Sequence, residues 1–368
     1  MSETDNRFMR LALSLASRGL GHVWPNPAVG CVIVVEGRVV GRGWTQVGGR
    51  PHAETMALAQ AGAAARGAIV YVTLEPCAHH GQTPPCADAL VAAGVARVVV
   101  ALGDPDERVN GQGIARLRAA GIAVDRDVMR AEAIHLQSGF LKRVSEGRPH
   151  VTLKLANSFD GRIATATGDS QWITGPEARR MVHAMRARHD AVLVGAGTAR
   201  ADDPSLTVRD LGVTDQPVRI VWSRHLDLPL AGKLAQTANE IPVWICHGAD
   251  ADPGLQQAWA GMGAILLPVK LGAARQIDPV AALQALGEAG LTRIFCEGGG
   301  ALAASLLMAD RVDELIGFTA GLGLGAEGQP SLGAMGIDRL VHAPRFDLFE
   351  TAQVGGDVMH RWRRVEKS

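Results

Sequence analysis

Pro51-His52-Ala53-Glu54, followed by Ile69-Val70-Tyr71-Val72-Thr73-Leu74-Glu75-Pro76-Cys77 and, after eight intervening residues, by Cys86, is the stretch that decides the fold. The Ala-rich segment 53–65 predicts a helix, and the β-branched run 69–74 predicts a buried strand. Pro85 or Cys86 opens a second predicted helix that runs to Ala93, and Arg97-Val98-Val99-Val100-Ala101 is the next strand. Strands joined by helices predict an α/β sheet.

The same stretch carries chemistry. One imidazole (His52) and two thiols (Cys77, Cys86) are zinc-ligand types, and a thiol near a helix N-terminus is favoured as thiolate. Three such ligands leave a tetrahedral position for water, whose deprotonation zinc promotes near neutral pH. Glu54 need not be a ligand and is placed to move a proton, a combination suited to hydrolytic loss of an amino group from a pyrimidine or purine carbon. Two blander readings stand beside it: a closed structural zinc site with His79 or His80 as fourth ligand, and side chains with no shared role. Asn26, between Pro25 and Pro27, either holds a pyrimidine edge through its amide or caps a rigid turn.

Working outward, Phe8 to Ala16 reads as a helix stopped by Gly19 and Gly21. Residues 28–35 read as a strand, Glu36-Gly37 as a turn, and Val39–Trp44 as its hairpin partner. A further strand and helix precede the polar run Ser145-Glu146-Gly147-Arg148-Pro149, which is the expected junction between two domains, 1–147 and 148–368. Beyond it, strands are predicted at 151–155, 191–194, 218–222, 241–246 and 293–296, and helices at about 176–187, 278–288 and 301–308. A chain of 368 residues exceeds what one core usually fills.

Apolar residues make up 47% and charged residues 20%, with 37 basic and 37 acidic side chains, so no global field attracts nucleic acid or an acidic membrane. The five scattered cysteines suggest a reducing compartment, with Cys31 and Cys296 in apolar runs as core residues. The N-terminus lacks a basic region feeding an apolar segment, and no stretch approaches the roughly 20 apolar residues of a membrane span. Cytoplasmic residence is the expectation.

The second half offers two glycine loops after predicted strands, Gly195-Ala196-Gly197-Thr198 and Glu297-Gly298-Gly299-Gly300. Such loops admit phosphate close to free backbone N–H groups, and tight turns use the same residues. Neither fits GxGxxG, because Arg200 stands where the third glycine of the first loop would fall. Lys154, Asp160, Arg162, Trp172, Arg186, Asp202, Arg209 and Glu297 are polar or aromatic groups near element ends.

The N-terminal part resembles the deaminase domain of the bifunctional riboflavin-biosynthesis deaminase/reductases, within the cytidine-deaminase-like superfamily. The resemblance rests on Pro25-Asn26-Pro27-Ala28-Val29-Gly30-Cys31, on His52-Ala53-Glu54, and on Thr73-Leu74-Glu75-Pro76-Cys77 through Pro84-Pro85-Cys86. The long spacing of the cysteines is specific to that subfamily. The resemblance implies an α/β/α domain with zinc on His52, Cys77 and Cys86 and Glu54 as proton shuttle. The implied substrate is 2,5-diamino-6-(5-phosphoribosylamino)pyrimidin-4(3H)-one, which loses its C2 amine. The family usually carries Asp-Pro-Asn-Pro where this chain has Asp104-Pro105-Asp106-Glu107, a departure that touches this loop and not the metal ligands.

The C-terminal part resembles the reductase domain of the same family, whose α/β fold is like dihydrofolate reductase. The matching pieces are Leu153-Lys154 through Gly161-Arg162, Gly168-Asp169-Ser170-Gln171-Trp172-Ile173-Thr174-Gly175, Arg186-Ala187 with Asp190, Gly195 through Arg209, and Glu297-Gly298-Gly299; Phe159 replaces a more usual leucine. The resemblance implies NADPH-dependent reduction of the ribosyl C1′ of 5-amino-6-(5-phosphoribosylamino)uracil. By position, Ser170, Arg186, Leu206, Arg209 and Glu297 are implied substrate contacts, and Ala156, Trp172, Thr198, Asp202 and the loop from Gly299 to Gly300 are implied cofactor contacts. Lys154 is a candidate for phosphate or a sugar hydroxyl, and Ser223-Arg224 for the cofactor 2′-phosphate, which suits an arginine fork, with plain surface placement the equal alternative for Arg224. Asp202 or Glu297 is a candidate to assist proton movement. The resemblance also suggests a homodimer. The competing readings are a deaminase of a free or nucleic-acid base with a C-terminal domain that is not a reductase, and a zinc-stabilised nucleotide-binding protein.

Overall fold

The computed structural model describes residues 2–78, 84–105 and 110–365. The chain divides into two compact units, Met1–Gly147 and Arg148–Ser368. Among the described residues no helix is long and apolar enough to cross a membrane.

The first unit runs α1 (Glu3–Ala16), β1 (Gly30–Val35), β2 (Arg38–Trp44), α2 (Ala53–Ala61), β3 (Ile69–Val72), α3 (Cys86–Ala93), β4 (Arg97–Val100), α4 (Gln112–Ala119), β5 (Ala123–Asp125) and α5 (Arg130–Glu146). Its strands lie in the order β2-β1-β3-β4-β5. The β1/β2 hairpin is antiparallel and β1 is antiparallel to β3, whereas β3, β4 and β5 run parallel. Side chains of a strand alternate between faces, so Gly30 on β1 and Gly43 on β2, which pair with Trp44 and Cys31, mark opposite faces of the sheet. A Cβ on Gly30 would strike the Ala12 carbonyl of α1, and Cβ atoms on Gly41 and Gly43 would strike the Ala57 and Ala53 carbonyls of α2. Missing side chains thus let one helix settle on each face. α5 packs with α1, and α3 packs with α2 and α4, which completes a three-layer α/β/α sandwich. Its core joins Val32, Ile33, Val70, Val72, Val98 and Val99 to apolar residues of the helices, with Cys31 fully buried among them. α5 ends at Gly147, whose left-handed conformation (φ 68°) caps the helix where the unit ends.

The second unit contains β6 (His150–Ser158), β7 (Arg162–Ala164), α6 (Pro176–Arg186), β8 (Ala191–Gly195), α7 (Ala196–Asp202), β9 (Val218–Trp222), α8 (Lys233–Gln236), β10 (Val243–Gly248), α9 (Pro253–Gly261), β11 (Ile265–Val269), α10 (Pro279–Glu288), β12 (Arg293–Cys296), α11 (Gly300–Met308), β13 (Glu314–Ala320), β14 (Gln329–Pro330), β15 (Phe346–Val354) and β16 (Asp357–Arg364). Its main sheet has the order β11-β10-β9-β8-β12-β6-β13-β16-β15. The strands from β11 to β13 are parallel, and β16 and β15 add an antiparallel hairpin. After β8 the chain builds outward through β9, β10 and β11 and then returns to lay β12 beside β8. The crevice at the carboxyl ends of β8 and β12 is therefore the topological switch point where open α/β sheets take their ligands. Asp190 locks that return. Its buried carboxylate accepts the Thr292 N–H (2.6 Å), the Thr292 hydroxyl (2.7 Å) and the Arg293 N–H (2.8 Å).

Most predicted elements appear within two or three residues of their expected bounds. No element was predicted beyond residue 308, yet β13, β15 and β16 all lie there. β15 is an edge strand, mixed in burial along its length, so its sequence carries little of the apolar alternation that marks a strand.

Candidate functional site

His52 is the N-cap of α2 in extended conformation (φ −71°, ψ 160°), with Glu54 in the first turn behind it. The segment feeding it is pinned by the Gln46 N–H to the Pro51 carbonyl (3.1 Å) and the Gly48 N–H to the His22 carbonyl (2.9 Å). Asn26 lies against that segment, its amide donating to the Gly48 carbonyl at 3.5 Å.

Cys77 follows β3, and its position is set by α3: the Ala87 N–H donates to the Cys77 carbonyl (3.1 Å) and the Cys86 N–H points at Cys77 Sγ (3.3 Å). His52 Nδ1 stands 3.3 Å from Cys86 Sγ and 3.7 Å from Cys77 Sγ. The three donor atoms lie within 4.8 Å of one another, and among the described residues no other such cluster is found. Tetrahedral zinc with bonds of about 2.0–2.3 Å separates its ligands by roughly 3.5 Å, so the donor set fits that ion. His79 and His80, candidate fourth ligands, lie outside the described residues, as do Asp106 and Glu107 of the departing loop.

The electrostatics separate the two thiols. The hydrogen bond from Cys86 brings the Cys77 thiol down to about 4, while its hydrogen bond to Cys77 and burial push Cys86 well up. The His52 imidazole is raised by its hydrogen bond to Cys77. Glu54 is 3% exposed, and burial pushes its carboxyl up to about 7; it also hydrogen-bonds Cys86. A buried carboxyl poised near neutrality beside the His52, Cys77 and Cys86 donors can take and return a proton.

Glu75 had no role in the sequence reading beyond its motif. Its carboxylate is buried and accepts the N–H groups of Gly111 (3.1 Å), Ile114 (3.1 Å) and Asp104 (3.4 Å), tying the start of α4 to the Pro76-Cys77 segment. The only sequence signal for it was an acid at the end of an otherwise apolar strand.

In the second unit the structure brings both glycine loops to the switch point, on β8 and β12. Thr198 Oγ1 accepts the Gly299 N–H at 3.2 Å, joining one loop to the other. Glu297, at the end of β12, accepts from Arg186 Nε at 2.5 Å and faces Lys154 Nζ at 3.7 Å. Burial pushes Glu297 up, but the Arg186 and Lys154 charges outweigh it and leave the carboxyl below its usual range. Arg186 also donates to the Thr207 carbonyl (2.8 Å), and His183 Nδ1 accepts the Arg209 N–H (3.3 Å). Lys154, Arg186, Glu297 and the Leu206–Arg209 segment thus form one polar cluster. Leu206 itself is buried in the core with β8 and β9, which leaves its backbone for any ligand contact.

The remaining candidates have other surroundings. Ala156 lies on β6 two residues beyond Lys154 and pairs with Phe318. Trp172 is 66% exposed with the Arg179 guanidinium 4.6 Å from its ring centre, and Ser170 accepts the Ile173 N–H through its carbonyl. Asp202 is exposed at the end of α7. Ser223 is buried with its hydroxyl on Asp227 (3.1 Å), and Arg224 pairs with Asp250 (3.0 Å), which also holds Arg275 (3.2 Å).

Comparison with known proteins covers both units. The family model described as the cytidine and deoxycytidylate deaminase zinc-binding region matches residues 2–102, and that of the RibD C-terminal domain matches residues 149–360. The chain is 43% identical to the riboflavin biosynthesis protein RibD of Escherichia coli (strain K12), over 96% of this chain and 98% of that one. It is 39% identical to the protein of the same name from Aquifex aeolicus, over 98% and 99%. Among solved structures, Acinetobacter baumannii RibD superposes with a TM-score of 0.87 at 38% identity, covering 99% of both chains. A diaminohydroxyphosphoribosylaminopyrimidine deaminase/5-amino-6-(5-phosphoribosylamino)uracil reductase from Thermotoga maritima gives 0.86 at 32% identity, over 98% of this chain and 99% of that one.

Proposed function

The chain belongs to the RibD family of bifunctional riboflavin-biosynthesis deaminase/reductases, and from that premise we propose a division of labour in which residues 1–147 deaminate and residues 148–368 reduce. The first step removes the C2 amine of 2,5-diamino-6-(5-phosphoribosylamino)pyrimidin-4(3H)-one as ammonia. The second reduces the ribosyl C1′ of 5-amino-6-(5-phosphoribosylamino)uracil to the ribityl chain. The observation that carries this reading is the convergence of His52 Nδ1, Cys77 Sγ and Cys86 Sγ beside a buried Glu54.

His52, Cys77 and Cys86 would hold zinc, which when bound supplies the Lewis acidity that makes water nucleophilic near neutral pH. Glu54 takes a proton from water through its carboxylate and returns it to the departing amine, the work for which its raised affinity for protons suits it. Asn26, packed beside the segment that leads to His52, holds the pyrimidine edge.

In the second unit Thr198, Gly299 and Gly300 hold the nucleotide at the switch point, with Ala156, Trp172 and Asp202 as further contacts. NADPH supplies the hydride. Ser223 and Arg224 lie at the end of β9, where Arg224 would exchange its Asp250 partner for the 2′-phosphate. Lys154, Arg186, Arg209, Ser170 and the Leu206 backbone bind the phosphoribosyl substrate, and Glu297 orients the two cations. Orientation of the reacting carbon supplies most of the second step. The same proposal covers a cytoplasmic homodimer acting on small molecules, with neither nucleic acid nor membrane as partner; the free cysteines support the reducing compartment, and the formal net charge of +0 supports the lack of a nucleic-acid or membrane partner.

The test gives the purified chain the diaminopyrimidinone phosphate with and without NADPH. Ammonia release without cofactor, then NADPH oxidation on its addition, is expected. Glu54→Gln should stop the first step and leave reduction of separately supplied deaminated intermediate intact. Loss of both activities in a folded Glu54→Gln protein overturns the division of labour.

A further inference from the structure

Asn157-Ser158-Phe159-Asp160-Gly161-Arg162, the turn after β6, has no part in the chemistry above, yet it is the anchor of the long connection that leaves β13. The Asp160 carboxylate accepts the Ser158 hydroxyl (2.5 Å), the Leu324 N–H (3.2 Å) and the Gly325 N–H (2.7 Å). The Ser158 hydroxyl in turn accepts the Arg162 N–H (2.9 Å), which folds the turn back on itself. These donors keep Asp160 below its usual carboxylate range, led by the Ser158 hydroxyl, so the clamp is anionic.

From Gly325 the connection continues along the turn. Gln329 and Pro330 pair with Ala164 and Arg162 as β14 and β7, and the Ser331 N–H donates to the Gly161 carbonyl (3.0 Å). The strap then lands on α11, where the Gly333 N–H donates to the Gly300 carbonyl (2.9 Å). Contact there is close: a Cβ on Gly300 would stand 3.0 Å from the Pro330 carbonyl oxygen and 3.1 Å from the Gly333 nitrogen. The first turn of α11 is thereby held by a segment whose other end is fixed by the Asp160 carboxylate, with the Phe159 N–H on the Leu322 carbonyl (3.0 Å) beside it.

We propose that Asp160 is a positioning residue for the nucleotide: by clamping Leu324 and Gly325 it fixes the 325–333 strap, which sets the Gly299-Gly300 loop for the cofactor. The inference rests on the reading that this loop holds NADPH. Asp160 touches neither reacting atom and acts through the strap. Its loss should weaken nucleotide binding while leaving the Lys154-Arg186-Glu297 cluster, and all of the first unit, as they are.

Asp160→Ala and Asp160→Asn in the full chain provide the test, read by NADPH fluorescence titration, steady-state kinetics and hydrogen exchange. In Asp160→Ala the amides of Leu324, Gly325 and Gly333 should exchange faster. The dissociation constant and the KM for NADPH should rise about tenfold, the scale of lost hydrogen bonds to a charged acceptor. The KM for the pyrimidine and the rate of ammonia release should hold. Asp160→Asn, which keeps one acceptor oxygen, should fall between the two. Unchanged NADPH affinity in Asp160→Ala overturns the proposal and leaves the cofactor assignment standing. Failure of the wild-type chain to bind NADPH overturns the cofactor assignment itself. Equal loss of pyrimidine and NADPH binding in both variants, with a lowered melting point, makes Asp160 a structural residue and also refutes the proposal.

Discussion

Glu75→Gln is the substitution that most directly tests how the proposed metal site is supported. The Glu75 carboxylate serves three backbone donors, Gly111 and Asp104 on one oxygen and Ile114 on the other. A glutamine in its most favourable orientation keeps the oxygen that serves two donors and sets its NH2 against the Ile114 N–H. One charge-assisted bond is lost, at about 1.5–3 kcal/mol, and a buried donor is left without an acceptor, at about 1–3 kcal/mol, so a cost near 3 kcal/mol is expected. Local opening of the α4 start should then be favoured about 100-fold, since each 1.4 kcal/mol is about a factor of ten. The α4 start presses on the Pro76 carbonyl, where a Cβ on Gly113 would collide, so the loosening passes to Cys77. A supporting partner of this kind typically changes metal affinity by about 10- to 100-fold. Hydrogen exchange at Gly111 and Ile114, with zinc affinity by competition against a chelator, reads both effects. Wild-type protection at those two amides would falsify the account of Glu75 as the tie between α4 and Cys77.

Three further outcomes follow from the same geometry. Gly43→Ala places a methyl against the Ala53 carbonyl and Met56 Cβ of α2, so overpacking of about 1–3 kcal/mol and loss of ammonia release with NADPH oxidation preserved are expected; unchanged melting and turnover would count against the close approach. Asp5 is held well below the usual carboxylate range by Arg97, with Ser2 and Tyr71 adding hydrogen bonds. A depressed folded value means its contribution is full above the unfolded value near 3.9 and fades as pH falls through the folded one; Asp5→Asn should cost about 2 kcal/mol at pH 7 and flatten the acid limb of stability against pH, which urea titration from pH 7 to 2 measures. Chelation of the purified chain should abolish ammonia release, leave reduction of the deaminated intermediate intact, and be reversed by added zinc; equal loss of both steps would contradict separate sites.

The sequence by itself carried the α/β character of both halves, because short apolar runs at 69–74, 191–194, 218–222 and 293–296, rich in Val and Ile and bounded by turn residues, read as buried strands between helical segments. It also carried the three donors that the structure brings within 4.8 Å of one another, His52, Cys77 and Cys86, because their chemistry is legible without coordinates, and the deaminase/reductase assignment, because the motifs are dense along both parts. Tertiary structure alone decided which groups meet. Thr198 and Gly299 are 101 positions apart and are joined because β12 returns to lie beside β8; no local pattern records that return. Ser223 and Leu206, both site candidates by position, are buried, Leu206 in the core with Val192, Val194 and Val221. Glu75 stayed silent, and Asp160 was marked only as a polar group near an element end, for the same reason. A carboxylate that accepts distant backbone N–H groups shows no periodicity and no ligand spacing in the chain, since its partners are chosen by where the loops land and not by what stands next to it.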